Sequence, residues 1–277
     1  QFIVNTPVRP YYLCAPKDGL GGDGETHEHP HTDRSFQLTV CQNTFSVPEW
    51  AQGSVMYQVF PDRFFRHENC GDVSGRRMHE NWLDEPDYLP DPNKGYYPAD
   101  DFFGGNLKGI EDKLDYLKDL GVEVIYLNPI FKAYSNHRYD TGDYETVDPV
   151  LGTNEDFSNL CAAAKARGIR IILDGVFSHT GSDSKYFNRE GSYPETGAYQ
   201  SKDSPYYPWY DFKEYPDKYD CWWGVWSLPC VKENEPSYRD YIIRNRDSIV
   251  KRWLSAGASG WRLDVADELP DSFIADL

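Results

Sequence analysis

The sequence predicts an α/β fold, a parallel sheet of the (β/α)8 barrel type with four of its strands in this chain. Two observations carry that expectation. Short apolar runs alternate with helix-period segments from about residue 50 to residue 277, and such alternation builds parallel strands joined by right-handed crossovers. Asp62, Asn128, Asp174, His179, Arg262 and Asp264 all follow or close one of those runs, and barrels carry their chemistry at the C-terminal strand ends. A doubly wound sheet fits the alternation too, but no glycine-rich phosphate loop follows the first strand, which weakens that alternative.

The elements follow in order. Residues 1–46 are rich in Gly, Pro, His and Thr, with short β-type runs such as Phe36-Gln-Leu-Thr-Val40; they read as the remnant of a small β domain and its linker. Residues 47–179 hold strands 1–3. Val55 to Phe60 is a short apolar strand closed by Pro61. Leu107, Ile110, Leu114, Leu117 and Leu120 recur at helical spacing, with Gly121 at the helix end. Val122 to Leu127 is the second strand. Thr153 or Asn154 can cap a helix that runs to Arg167, and Ile169 to Leu173 is the third strand. Residues 180–236 break the rhythm as an insertion with ten aromatics between Tyr206 and Trp226. In residues 237–277 a helix opens at Ser237, with Ile242, Ile243, Ile249, Val250, Trp253 and Leu254 on its apolar side, and Gly260 to Val265 is the fourth strand.

Composition narrows the function. A net charge of −17 opposes nucleic acid and anionic membrane as partners, because phosphates would be repelled, whereas neutral sugars meet no such barrier. Aromatic content is 16%, with 21 Tyr and 8 Trp, more than packing alone asks for. No apolar run approaches the roughly 20 residues of a membrane span. The chain starts at Gln1 without a methionine, as removal of a native start or leader would leave it. The six cysteines show no metal-ligand spacing. Cys161 reads as a buried small hydrophobe, and Cys221 and Cys230 are open between free thiols and a pair. The compartment stays open, with cytoplasmic favoured over secreted.

Chemistry concentrates in two segments. Gly260-Trp261-Arg262-Leu263-Asp264 sets an arginine two residues before an aspartate on a strand, and Asp174-Gly-Val-Phe-Ser-His179 ends another strand with a carboxylate and an imidazole. A carboxylate beside an arginine is expected to stay ionised, and an ionised carboxylate on a rigid strand end suits a retaining glycosidase nucleophile. An Arg-x-Asp pair alone is more often a structural ion pair; Asp174 and His179 in register are what point to sugar chemistry. His27, His29 and His31 alternate in a polar loop that reads as structure, not as a metal site.

These motifs resemble the α-amylase superfamily of glycoside hydrolases, and within it the neopullulanase and cyclomaltodextrinase branch. Tyr57-Gln-Val-Phe-Pro-Asp-Arg-Phe64, Phe103-Gly-Gly-Asn-Leu-Lys-Gly109, Leu127-Asn-Pro-Ile-Phe131 and Ser135-Asn-His-Arg-Tyr-Asp-Thr141 are similar to that branch in order, as are Asp174 to His179 and Gly260 to Glu268. The resemblance covers residues from about 50 to 277. It implies that Asp264 is the nucleophile and Arg262 its partner, that Asp174 orients Arg262, and that His179 hydrogen-bonds the reacting sugar. It implies that Tyr139 stacks under that sugar while Asp140 supports the loop, and that residues 1–46 derive from the branch's N-terminal β-sandwich. The aromatic insertion corresponds to the family's domain B, in which Trp222 and Trp223 are candidate sugar contacts; Glu268 is a further substrate-binding candidate.

The resemblance also sets expectations about what is missing. Ser178 and Asn106 depart from positions that hold calcium ligands in many relatives, and Asn69 and Asp72 fit the branch's calcium loop poorly, so no cofactor or metal is expected to be required. The family's acid/base Glu and third catalytic Asp lie on later strands, so this stretch is expected to be inactive alone and part of a longer protein. The implied activity is retaining hydrolysis of α-glucosidic bonds in maltooligosaccharides, cyclodextrins, pullulan or starch, with an α-glucan oligosaccharide as partner and a homodimer open to the full-length protein. The alternatives are a transglycosylase or another α-glucosidase of the superfamily, or a non-catalytic barrel that binds carbohydrate or a partner.

Overall fold

A computed structural model describes residues 1–277 apart from 39, 41–45, 69, 70 and 94. The chain divides into two compact units, Gln1–Gln52 and Gly53–Leu277. The first holds an antiparallel sheet of β1 (Phe2–Asn5), β2 (Pro10–Cys14) and β3 (Glu25–His27), in that order. The strand expected over Phe36–Val40 does not form: Phe36 to Leu38 are irregular, and Thr39 lies outside the described residues. Phe36 instead packs its ring against Phe2, 5.6 Å away.

The second unit is built on a four-stranded parallel sheet of β4 (Met56–Val59), β5 (Val124–Leu127), β6 (Arg170–Gly175) and β7 (Gly260–Leu263), whose spatial order follows the chain. Every residue of β5 is buried, as an apolar run covered on both faces should be. The register sets Tyr126 against Ile172 and Asp174 against Arg262, so inward polar side chains gather at the C-terminal ends.

Helices α1 (Leu107–Asp112) and α2 (Leu114–Asp119) replace the single helix that the leucine spacing suggested, meeting at Lys113 (φ −99°, ψ 4°). Helix α3 (Asn154–Ala166) begins with a capping box in which Asp156 N–H donates to Thr153 Oγ1 at 3.1 Å and Thr153 N–H donates back to Asp156 Oδ2 at 2.8 Å. Asn154, the other cap candidate, accepts the Val147 N–H at 2.8 Å instead. Gly168, at φ +79°, ends the helix in the left-handed region that glycine enters freely.

The continuous helix expected from Ser237 is broken into α4 (Pro236–Arg239), a π-turn over Asp240–Arg244 and α5 (Ile249–Ser255). Asn245 leaves the helix at ψ 154°, and the Ser248 hydroxyl donates to the carbonyl of Ile243 at 2.9 Å, so side-chain bonding replaces the helical ladder there. A short α6 (Asp271–Asp276) ends the described chain. Trp253 of α5 is fully buried, donates Nε1–H to the Tyr144 carbonyl at 2.8 Å, and packs on Phe131 and Phe157.

The insertion has an aromatic core of its own. Phe187 stacks on Phe212, Tyr207 stacks on Phe212 from nearby, and Trp209 is buried against Tyr186 and Tyr238. Most of its aromatics therefore hold the insertion together. Cys221 and Cys230 are free thiols, as are Cys14 and Cys161. Cys221 faces Pro229 across the hairpin while Cys230 N–H bonds to the Asp220 carbonyl, so the two cysteines are one residue out of register and lean to opposite faces. Among the described residues no helix is long and apolar enough to cross a membrane.

Candidate active site

The site forms where β5, β6 and β7 end. Because Asp174 and Arg262 are register partners, their side chains leave neighbouring strands on the same side. Arg262 Nη1 donates to Asp174 Oδ1 at 3.0 Å and to Asp264 Oδ1 at 2.6 Å, so one guanidinium nitrogen spans both carboxylates. The Arg262 guanidinium is held above its ordinary range by the two carboxylates, Asp174 foremost, against an opposing burial effect.

Asp174 is 1% exposed. Besides Arg262 it accepts hydrogen bonds from the Tyr139 hydroxyl at 3.0 Å and from the Tyr126 hydroxyl. The sequence reading held that an arginine keeps such a carboxylate ionised. For Asp174 burial pushes the carboxyl above its ordinary value, and the Tyr126 and Arg262 contacts only partly offset that. Tyr126 was missed in the sequence. Its signal was a lone hydroxyl in an apolar strand, two residues before Asn128 and so on the same sheet face. Asn128 itself accepts from Gln58 at 2.8 Å and donates to the Tyr139 hydroxyl at 3.4 Å.

His179 lies 2% exposed at the rim of this cluster. Its Nδ1 is 2.9 Å from the Ser178 hydroxyl, whereas its Nε2 is buried with no partner among the described residues. Burial lowers its pKa against the pull of nearby Asp264, so the ring is neutral at physiological pH. A buried, unpaired ring nitrogen is costly unless a ligand completes it.

The loop after β5 presents Tyr139. Arg138 supports it with φ +62° and a fully buried guanidinium paired to Asp148 at 3.2 Å. Asp140, expected among the substrate-binding residues, instead turns its carboxylate into the loop, where it accepts Ser135 N–H at 3.0 Å and the Ser135 hydroxyl. It braces the loop, as the resemblance also implied. His137 braces the same loop: its Nδ1 is 3.1 Å from Ser135 Oγ and accepts the Tyr139 N–H at 3.1 Å. Trp222 approaches the site with its ring 5.5 Å from the His179 imidazole, while Trp222 and Trp223 both donate to Glu268.

At the positions where relatives place calcium ligands, the side chains are engaged otherwise. The Ser178 hydroxyl faces His179 Nδ1, and Asn106 caps α1 by accepting Gly109 N–H at 2.8 Å while donating to the His67 carbonyl at 3.0 Å. Asp72 Oδ1 accepts the Ser74 N–H at 2.9 Å, and Asn69 lies outside the described residues. Ca²⁺ takes 6–8 oxygen ligands, and among the described residues no group of three or more His, Cys, Asp or Glu gathers to hold a metal. Ser178, Asn106 and Asp72 do not fit a calcium site.

The family model described as "Alpha amylase, catalytic domain" matches residues 58–276. The chain belongs to the alpha-amylase family. Over 98% of its length it is 44% identical to an amylopullulanase of Thermoanaerobacterium saccharolyticum, of which it covers 24%. It is 34% identical over 83% of its length to neopullulanase 2 of Thermoactinomyces vulgaris, covering 36% of that protein. Among solved structures, the type III pullulan hydrolase from Thermococcus kodakarensis aligns over 95% of this chain and 46% of its own, with TM-score 0.68 and 30% identity. The four parallel strands are thus strands 1–4 of a (β/α)8 barrel, and the chain spans about a quarter or less of the amylopullulanases it matches.

Proposed function

We propose that this alpha-amylase-family chain carries the nucleophile side of a retaining glycosidase site acting on α-glucosidic bonds of maltooligosaccharides and related α-glucans. The observation that carries the reading is the bridge from Arg262 to both Asp174 and Asp264 at adjacent strand ends. Asp174 fixes the guanidinium from one side, which leaves Asp264 oriented and charge-compensated at the site's edge. The names of the relatives, among them amylopullulanase and cyclomaltodextrinase, support the substrate class.

In this reading an Asp264 carboxylate oxygen attacks the anomeric carbon, the bond from that carbon to the leaving oxygen breaks, and a carboxylic acid supplies the leaving oxygen's proton. Water then cleaves the glycosyl ester, returning the carboxylate and releasing the sugar with its configuration retained. Neutral His179 offers its unpaired Nε2 to a hydroxyl of the reacting sugar, and such a bond helps most if it strengthens as charge develops on the ring. Tyr139, held by Asp174, offers its ring to a pyranose face. Calcium is not required. The test is Asp264→Asn in the full-length protein, an isosteric change that removes the nucleophile's charge. kcat on maltooligosaccharides should fall by several orders of magnitude with the melting temperature little changed; retention of more than a few per cent of turnover would overturn the assignment.

A further inference from the structure

The insertion packs most of its aromatic rings against one another, but Trp223 and Trp226 are exposed while Trp222, beside the site, is half-buried. Trp223 is 80% exposed, whereas Trp209 of the same insertion is 3% exposed. Trp223 also sits in the left-handed region at φ +49°, a conformation that costs free energy for a bulky residue. Its ring stacks on that of Trp222 at 5.5 Å and 29°, and Trp222 in turn lies 5.5 Å from the His179 ring. A large ring kept strained and in solvent beside a polar site is the pattern of a binding surface, not of a core.

One side chain holds the pair. Trp222 Nε1 donates to Glu268 Oε2 at 3.1 Å and Trp223 Nε1 donates to Glu268 Oε1 at 2.9 Å, so both indoles are pinned to a single carboxylate. Glu268 reaches them because the chain turns sharply after the Asp264 strand. Val265 adopts φ +43°, which is a true outlier for a β-branched residue, and Glu268 N–H closes the turn onto the Val265 carbonyl at 2.8 Å. Two strained residues from segments more than forty positions apart therefore converge on one contact. We propose that Glu268 is a positioning residue, accepting both indole N–H groups so that Trp222 and Trp223 form a platform for the glucosyl unit next to the one at Asp264. This rests on the α-glucan reading above. An indole face suits the C–H face of a pyranose, and each oxygen of Glu268 already has an indole donor.

Binding of maltoheptaose to the Asp264→Asn protein, measured by calorimetry, separates positioning from direct contact without turnover. Glu268→Ala and Trp223→Ala should each weaken binding on the order of tenfold. The double variant should bind no worse than Trp223→Ala within about twofold, because both changes remove the same platform. Glu268→Gln, which keeps one acceptor oxygen, should fall between the parent and Glu268→Ala. In the protein with Asp264 intact, the Glu268→Ala loss should fall on KM more than on kcat. Additive losses in the double variant, or full affinity in Trp223→Ala, would overturn the proposal. Failure of the parent itself to bind maltoheptaose would overturn the α-glucan reading and the proposal with it.

Discussion

Tyr126→Phe probes the one member of the site that sequence reasoning did not supply. The phenylalanine keeps the buried ring and its place beside the Arg262 guanidinium, 5.7 Å away, and removes only the hydroxyl that donates to Asp174. Asp174 is almost fully buried and has Tyr139 and Arg262 as its other donors. A hydrogen bond to a charged group is worth about 1.5–3 kcal/mol, so the variant should lose about 2 kcal/mol at pH 7.5. For a unit of this size that is roughly 4–8 °C in melting temperature. The pH dependence has a definite sign. The Asp174 carboxyl already lies above its ordinary value through burial, and the Tyr126 hydrogen bond, together with Arg262, lowers it; removing the hydroxyl raises it further. The folded state then holds its proton to higher pH, so the cost is full where the carboxylate is ionised and shrinks as pH falls. Denaturant titrations at pH 7.5 and at progressively lower pH should show the largest loss at pH 7.5. A cost under about 0.5 kcal/mol at pH 7.5, or one that grows on acidification, would refute this account of the Asp174 cluster.

Asp183 lies among Asp140 and Glu190, and burial followed by those charges pushes its carboxyl up to about 7. A folded-state value above the unfolded one means its ionisation destabilises the fold as pH rises from about 4 to 7. Asp183→Asn should therefore gain on the order of 1–2 kcal/mol at pH 8 and almost nothing near pH 4; denaturant titrations that show equal effects at both would refute the burial argument. Chelation should leave the melting temperature of metal-replete protein unchanged, because Ser178 and Asn106 are committed to His179 and to the start of α1; a fall of several degrees would show a structural metal.

The parts of the site that lie on strands were legible because a strand's two-residue period fixes which way each side chain points. The pairing of Asp174 with Arg262 came from the family resemblance, and the two residues sit opposite each other in the register. Tyr126 obeys the same rule, but a tyrosine inside an apolar run reads as packing until the partner carboxylate is known. Helix interiors were legible and their interruptions were not. The break near Asn245 comes from the Ser248 hydroxyl capturing a carbonyl, a choice that local propensity leaves open. The Glu268 contact was beyond reach for a different reason. It depends on two positive-φ residues, Trp223 and Val265, neither of them glycine, so no residue type announced the turns.

The central claim is that Asp264 forms the covalent bond to the sugar. Incubating the full-length protein with an activated fluorosugar of α-glucosyl configuration, whose glycosyl ester turns over slowly, should leave one sugar attached. Peptide mass spectrometry should place that mass on Asp264 within the Gly260–Glu268 segment. Proton NMR of the reaction on maltooligosaccharides should show the α-anomer released first. A label on any other carboxylate, or first release of the β-anomer with no labelled peptide, would contradict the account.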